Sequence, residues 1–176
     1  MPLFTVTRQI AIDAGHRVST HGSKCRHIHG HRYVIEAECA ATTVQTEGEQ
    51  KDMVVDFGFL KEEMMAVIDG GCDHGFIASI QDVALLQMFA PENPTESDWL
   101  ETLREEVSTV GFALTTDTRL GSKLYVIHAI PTAEQLAHHW FERLAERVQD
   151  RSNGLARLRA IRVHETPNCV AIYSEA

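Results

Sequence analysis

Residues 24 to 31 read KCRHIHGH, placing one thiol and three imidazoles within eight positions. His29 and His31 are separated by a single glycine, so on an extended segment both side chains point to the same face and can reach one ion. Gly30 keeps that approach uncrowded. A catalytic zinc usually keeps three protein ligands and one open position, with imidazole nitrogens about 2.0 to 2.1 Å from the metal. His16, in DAGHR at the end of the first predicted strand, is the best-placed third ligand, because two adjacent antiparallel strands bring it beside the HGH pair. His21 lies among Ser, Thr and Gly in a predicted loop, whereas His27 shares the extended-chain phase of His29 and His31; spacing alone excludes neither. Cys25 admits two roles. It is either a fourth ligand closing a structural site of one thiolate and three imidazoles, or a free nucleophile or acid/base group whose pKa is lowered by Lys24, Arg26 and a nearby cation. A lone HxH is more often part of an exposed loop than a metal site; the thiol four residues upstream is what shifts the balance toward chemistry.

Two further features could serve such a site. Asp73 and His74 follow a predicted helix, and a carboxylate beside an imidazole orients it and raises its basicity. Glu165, in VHETPN between the last two predicted strands, is a carboxylate able to accept a pair of N–H donors from a heterocycle. Taken singly, each is also an ordinary loop or turn residue.

The elements that would position these groups follow from periodicity. FTVTRQIAI (4–12) and YVIEAECAATTV (33–44) alternate as half-buried strands. Asp56 is a predicted N-cap for a helix running to about Asp69, with Phe59, Leu60, Met64, Val67 and Ile68 roughly on one face and Gly70–Gly71 as its stop. Residues 80 to 125 read less clearly: an apolar run, a loop marked by the prolines of APENP, and a short helix capped by Ser97. KLYVIHAI (123–130) is a strand or an extended lead into a second long helix, capped by Thr132, with Leu136, Trp140 and Leu144 in a stripe. Two alternating runs, LRAIRVHET and CVAIYSEA, close the chain. The expected class is α+β, with a four-stranded antiparallel sheet and two long helices on one face, in a single domain carrying an insertion at about 80–125.

Composition narrows the function classes. The chain has 176 residues and a formal net charge of −9, a balance that disfavours direct binding to a nucleic-acid backbone. Its apolar runs fall short of the roughly 20 residues of a membrane span. MPLFTVTRQI lacks a basic leader pattern, so a cytoplasmic address without membrane association is expected. Cys25, Cys39, Cys72 and Cys169 form no CxxC pair and are expected to be reduced.

Together, DAGHR, KCRHIHGHRY, MVVDFGFLK, CDH, PTAEQLA and HET resemble the 6-pyruvoyl-tetrahydropterin synthase and 6-carboxytetrahydropterin synthase family, in order and over roughly 120 to 130 of the 176 residues. The resemblance implies a tunnelling fold, in which sheets of several subunits close into a barrel. The usual assembly is a homo-hexamer of two trimers, with active sites at subunit interfaces. It implies that His16, His29 and His31 hold Zn2+, and that Cys25 transfers protons rather than binding metal. Asp73 and His74 would assist that cysteine, Glu165 would anchor the guanidine-like edge of a pterin, and Thr132 and Glu134 would contact its ring. Three residues separate Cys25 from His29, as in the bacterial 6-carboxytetrahydropterin synthases. The implied reaction converts 7,8-dihydroneopterin triphosphate to 6-carboxy-5,6,7,8-tetrahydropterin, acetaldehyde and triphosphate, on the route to 7-deazaguanines and queuosine. A pyruvoyl-forming reaction on the same substrate, or a non-catalytic structural zinc module, are the alternatives.

The chain departs from the family pattern twice. About 55 residues separate CDH from PTAE, read as a surface elaboration or else as a lid or altered interface. Gly75 and Phe76 replace a bulkier pair after His74, which leaves the local backbone open.

Overall fold

The computed structural model describes residues 3–92 and 96–175. Strand β1 (Phe4–His16) is followed by a 3-10 turn (Lys24–Arg26) and by β2 (His29–Ala41). Helix α1 (Phe57–Met64) runs on through a π turn (Met65–Asp69) into the short α2 (Gly70–Cys72). Then come β3 (Gly75–Ser79), α3 (Val83–Phe89), α4 (Glu96–Val110), β4 (Phe112–Thr115) and β5 (Leu124–Ile127). Helix α5 (Ala133–Arg151) and strands β6 (Arg157–Thr166) and β7 (Cys169–Ser174) complete the chain.

The class is α+β, but the sheet is not the four-stranded antiparallel one expected. It has seven strands in the order β4-β5-β3-β1-β2-β6-β7, with β1–β3 and β3–β5 parallel and the other pairs antiparallel. The reason lies in the short run GFIAS, five residues without a turn signal. Phe76 lies over Gly15 of β1, its ring 2.6 Å from where a Cβ would stand, so the glycine admits the parallel neighbour. Residues 80–125, expected as a surface elaboration, therefore continue the same sheet.

The helices are not confined to one face either. Along β5, Tyr125 and Ile127 join the core under α1 and α5, whereas Leu124 and Val126 join a second cluster with Leu85, Leu86, Trp99, Leu100 and Leu103 of α3 and α4. Period-two alternation sends neighbouring side chains to opposite faces, so α3 and α4 cover the back of the sheet at the β3–β5 end. The expected stripe of Leu136, Trp140 and Leu144 is fully buried in the first core.

The N-caps expected for the two long helices form. Asp56 Oδ1 accepts from the N–H of Gly58 at 2.6 Å and of Phe59 at 3.1 Å, and Thr132 Oγ1 accepts from Gln135 N–H at 3.3 Å. Two other expectations fail. Gly70–Gly71 does not stop the helix, because Gly71 serves close packing: a Cβ there would stand 3.0 Å from the Tyr125 ring. Ser97 lies within α4, which begins at Glu96, so it is not the cap; Pro94 of the expected loop lies outside the described residues.

Candidate functional site

Pairing between β1 and β2 continues to the very end of β1, with Ala14 opposite His31 and His16 opposite His29. Even positions of β1 and odd positions of β2 face the core, so all three imidazoles lie on the helix side, one layer beyond Tyr33 and Ile12. Their ring centroids are 4.5 to 5.2 Å apart, and one ligand atom from each falls within 4.8 Å of the others. Among the described residues this is the one group able to hold a metal ion.

The chain fixes how these rings point. His16 Nδ1 donates to the Pro131 carbonyl at 2.8 Å, and His29 Nδ1 donates to the His27 carbonyl at 2.7 Å, which leaves each Nε2 as a lone-pair donor. His27 thus contributes its backbone rather than its ring. Burial lowers the pKa of His16 and of His31, keeping both neutral near pH 7. His16 is 1% exposed, yet His16 Nε2 and His31 Nε2 are buried with no hydrogen-bond partner among the described residues. Buried nitrogens without partners are costly unless something fills the space between them. Three neutral, convergent nitrogens fit a divalent metal with nitrogen preference, zinc above all.

Glu165 joins this group to a cavity. One carboxylate oxygen lies 3.5 Å from His16 Nε2 and 3.8 Å from His31 Nε2. The β6–β7 register breaks between His164 and Thr166, and such a bulge re-aims the side chain that it carries. Beside it opens a cavity of about 330 Å3 whose lining includes Cys25, Thr132, Glu134, Glu165, His21 and Cys169. Cys25 enters from the 3-10 turn, its carbonyl held by Val18 N–H at 2.8 Å. Thr132 and Glu134 enter from the first turn of α5, so the cap that starts the helix also brings residues to the cavity.

Asp73 and His74 lie elsewhere in the single chain and do not line this cavity. They are nonetheless a formed pair: His74 Nδ1 is 2.7 Å from Asp73 Oδ2, while Asp73 Oδ1 accepts from Asp13 N–H at 2.8 Å. That backbone donor, helped by His74, holds the Asp73 carboxyl below its ordinary pKa. The imidazole itself is 78% exposed, on a residue at φ 53°.

Several groups escape sequence reading: the Pro131 and His27 carbonyls, the Tyr33 ring beside His16 and His31, and Cys169, Val170 and Ala171 on the cavity wall. Only Tyr33 left a signal, as the next residue in phase with His29 and His31.

The sequence model of 6-pyruvoyl tetrahydropterin synthase matches residues 5–176. A 6-carboxy-5,6,7,8-tetrahydropterin synthase from Rickettsia conorii is 32% identical over 163 residues, covering 93% of this chain and 94% of its own. One from Haemophilus influenzae is 28% identical over 173 residues, covering 98% and 100%. The fold is similar to that of an uncharacterized protein from Wolinella succinogenes (TM-score 0.72, 20% identity, all of both chains). It is also similar to 6-pyruvoyl tetrahydropterin synthase from Plasmodium vivax (TM-score 0.62, 14% identity, 99% of both). With a family match from residue 5 to the last residue and a full-length relative above 30% identity, the chain belongs to the 6-pyruvoyl tetrahydropterin synthase family.

Proposed function

We propose that the protein is a zinc-dependent lyase that converts 7,8-dihydroneopterin triphosphate and water to 6-carboxy-5,6,7,8-tetrahydropterin, acetaldehyde and triphosphate, a step toward 7-deazaguanines and queuosine. The observation that carries this reading is the unpartnered Nε2 atoms of His16 and His31 beside a cavity that also holds Cys25 and Glu165. The relatives bearing the carboxy-forming name give the product its first preference.

His16, His29 and His31 would hold the zinc through Nε2, each in its neutral form. A bound zinc would supply Lewis-acid polarisation of the substrate's side-chain hydroxyls and stabilise negative charge developing there. Cys25 moves protons at the side-chain carbons. Glu165 accepts N–H donors from the pterin edge, and Thr132 and Glu134 border the ring position. Cys25 lies outside the group of three metal-capable residues, which favours a reactive thiol over a fourth ligand and so disfavours the purely structural zinc module.

His74, with Asp73 behind it, assists Cys25 from a neighbouring subunit. The separation of this pair from the Cys25 cavity in one chain supports such a composite site. Strand β7 supports it as well: it is an edge of the sheet and also forms part of the cavity wall. A tunnelling barrel assembled as two trimers meets both requirements.

The test is to incubate zinc-loaded protein with 7,8-dihydroneopterin triphosphate and identify the products by mass spectrometry. Carboxytetrahydropterin with acetaldehyde is the expected result. Loss of triphosphate alone, leaving a pyruvoyl side chain, would move the protein to the other branch of the family, and unchanged substrate beside bound zinc would sink the lyase reading.

A further inference from the structure

Arg17 directly follows His16, and Asp82 stands at the start of α3, 65 positions away. Their side chains meet as a two-pronged pair: Arg17 Nε donates to Asp82 Oδ2 at 2.6 Å, and Arg17 Nη2 donates to Asp82 Oδ1. The pair is largely withdrawn from water, with Arg17 23% and Asp82 6% exposed. Its hydrogen bonds to Asp82 raise the pKa of the guanidinium above the ordinary value.

Asp82 is rigidly held on its own side. Its Oδ1 accepts from Leu85 N–H at 3.3 Å and its carbonyl from Leu86 N–H at 3.0 Å, while Leu85 and Leu86 are buried in the second core. The cap alone needs no cation, and withdrawing two charges from water is costly, so securing the helix start does not account for Arg17.

The loop that begins at Arg17 does account for it. Val18 N–H donates to the Cys25 carbonyl at 2.8 Å, and His21 N–H donates to the Val18 carbonyl at 3.0 Å, closing residues 18–25 into one loop directly after Arg17. The turn that carries Cys25 has no side-chain cap and buries none of its residues. It is tied on one side to β2, through the His27 carbonyl and His29, and on the other to Val18, one peptide from the anchored guanidinium.

We propose that Asp82 is a positioning residue for Cys25: through Arg17 and the Val18–Cys25 backbone bond, it fixes where the thiol stands in the cavity. The 80–125 segment is thus tied to the site that β1 and β2 build. The consequence for turnover rests on the function proposed above, whereas the consequence for the thiol's position does not.

The test uses full-length, zinc-loaded protein with Asp82→Asn, Arg17→Met and both together. Asparagine keeps an acceptor for Leu85 N–H, so the cap survives. Peptide-resolved alkylation by iodoacetamide reads the position of Cys25, with three internal references. Cys169 lines the same cavity, while Cys39 and Cys72 are buried, their thiols pushed up to about 12 by that burial. Each single variant should change the Cys25 rate at least about threefold, and the double variant no further, because the two side chains act as one unit. Cys169 should hold its rate, and Cys39 and Cys72 should stay unmodified. Turnover should fall about tenfold in kcat with little change in KM, as expected of a misplaced reacting group. An unchanged Cys25 rate in both single variants would overturn the proposal, as would acceleration of all four thiols together, the mark of general loosening. A shifted Cys25 rate in a protein whose unaltered form turns over no pterin would uphold the positioning role and remove only the proposed reaction.

Discussion

Cys25 and His29 are four residues apart, yet they stand in different places. His29 points Nε2 toward His16 and His31 because the His27 carbonyl holds its other nitrogen, whereas Cys25 faces the cavity. Replacing Cys25 by alanine should leave zinc near one per chain and lower kcat by about 10² to 10⁴, the usual contribution of a positioned proton-transfer group. Replacing His29 by alanine should remove the metal itself. Metal analysis beside steady-state kinetics separates the two, and loss of zinc from Cys25→Ala would reinstate the thiol as a ligand. Much of this was legible in sequence, since residues two apart on a strand share a face and the HGH spacing states that directly. The re-aiming of Glu165 was not legible, because a bulge depends on how β6 and β7 pair and not on either strand alone.

Helix α5 serves two neighbourhoods. Its first turn brings Thr132 and Glu134 to the cavity, while further along His139 Nε2 lies 2.7 Å from the Tyr125 hydroxyl, which in turn accepts from Arg143 Nη1 at 2.6 Å. A neutral His139 can accept the Tyr125 proton at Nε2 while the hydroxyl accepts from Arg143. Burial, with the Arg143 charge nearby, lowers the His139 pKa to about 4. An unfolded chain would protonate this residue near its ordinary value of about 6.5, so the unfolded state takes up a proton that the folded state refuses. His139 should therefore leave stability level above pH 6.5 and lower it as the pH drops toward 4, by on the order of 3 kcal/mol. Thermal unfolding of the metal-free protein across that range measures the slope. His139→Gln, which keeps an acceptor for Tyr125, should flatten it; an equal slope in the variant would assign the effect to His16 and His31, whose lowered pKa values act in the same direction. The amphipathic stripe and both caps of the long helices were readable from periodicity and cap chemistry. Strands β3 and β4 were not, being only five and four residues long, whereas β5 falls within KLYVIHAI, read as a strand or an extended lead.

At the scale of the whole molecule, Asp73 and His74 do not line the Cys25 cavity of their own chain, and the proposed site shared between chains has a direct test. Cys25→Ala and His74→Ala should each be inactive alone yet regain activity when co-assembled. If subunits mix at random and each site draws one residue from each neighbour, about a quarter of the sites are complete. Recovery near that level, measured on co-refolded chains, is the expected outcome; none at all would place the pair and the thiol within one subunit or outside catalysis. No helix among the described residues is long and apolar enough to cross a membrane. The proposed barrel and its subunit number were not legible from composition or periodicity, because both would depend on surfaces that meet only in an assembly.

The β1–β2 pairing also imposes an order in time. His16, His29 and His31 all belong to the first 31 residues, on two strands joined by a twelve-residue connection, 17–28, whereas Glu165 arrives only near the C-terminus. During synthesis the N-terminal strands emerge first and can pair locally, long before β6 exists to meet β2. The nascent hairpin thus brings three imidazoles together ahead of the rest of the fold. A chain still on the ribosome can hold these three imidazoles together before β6 and Glu165 are made, and ion capture at that stage would favour the correct hairpin register before the remaining strands compete for β1 and β2.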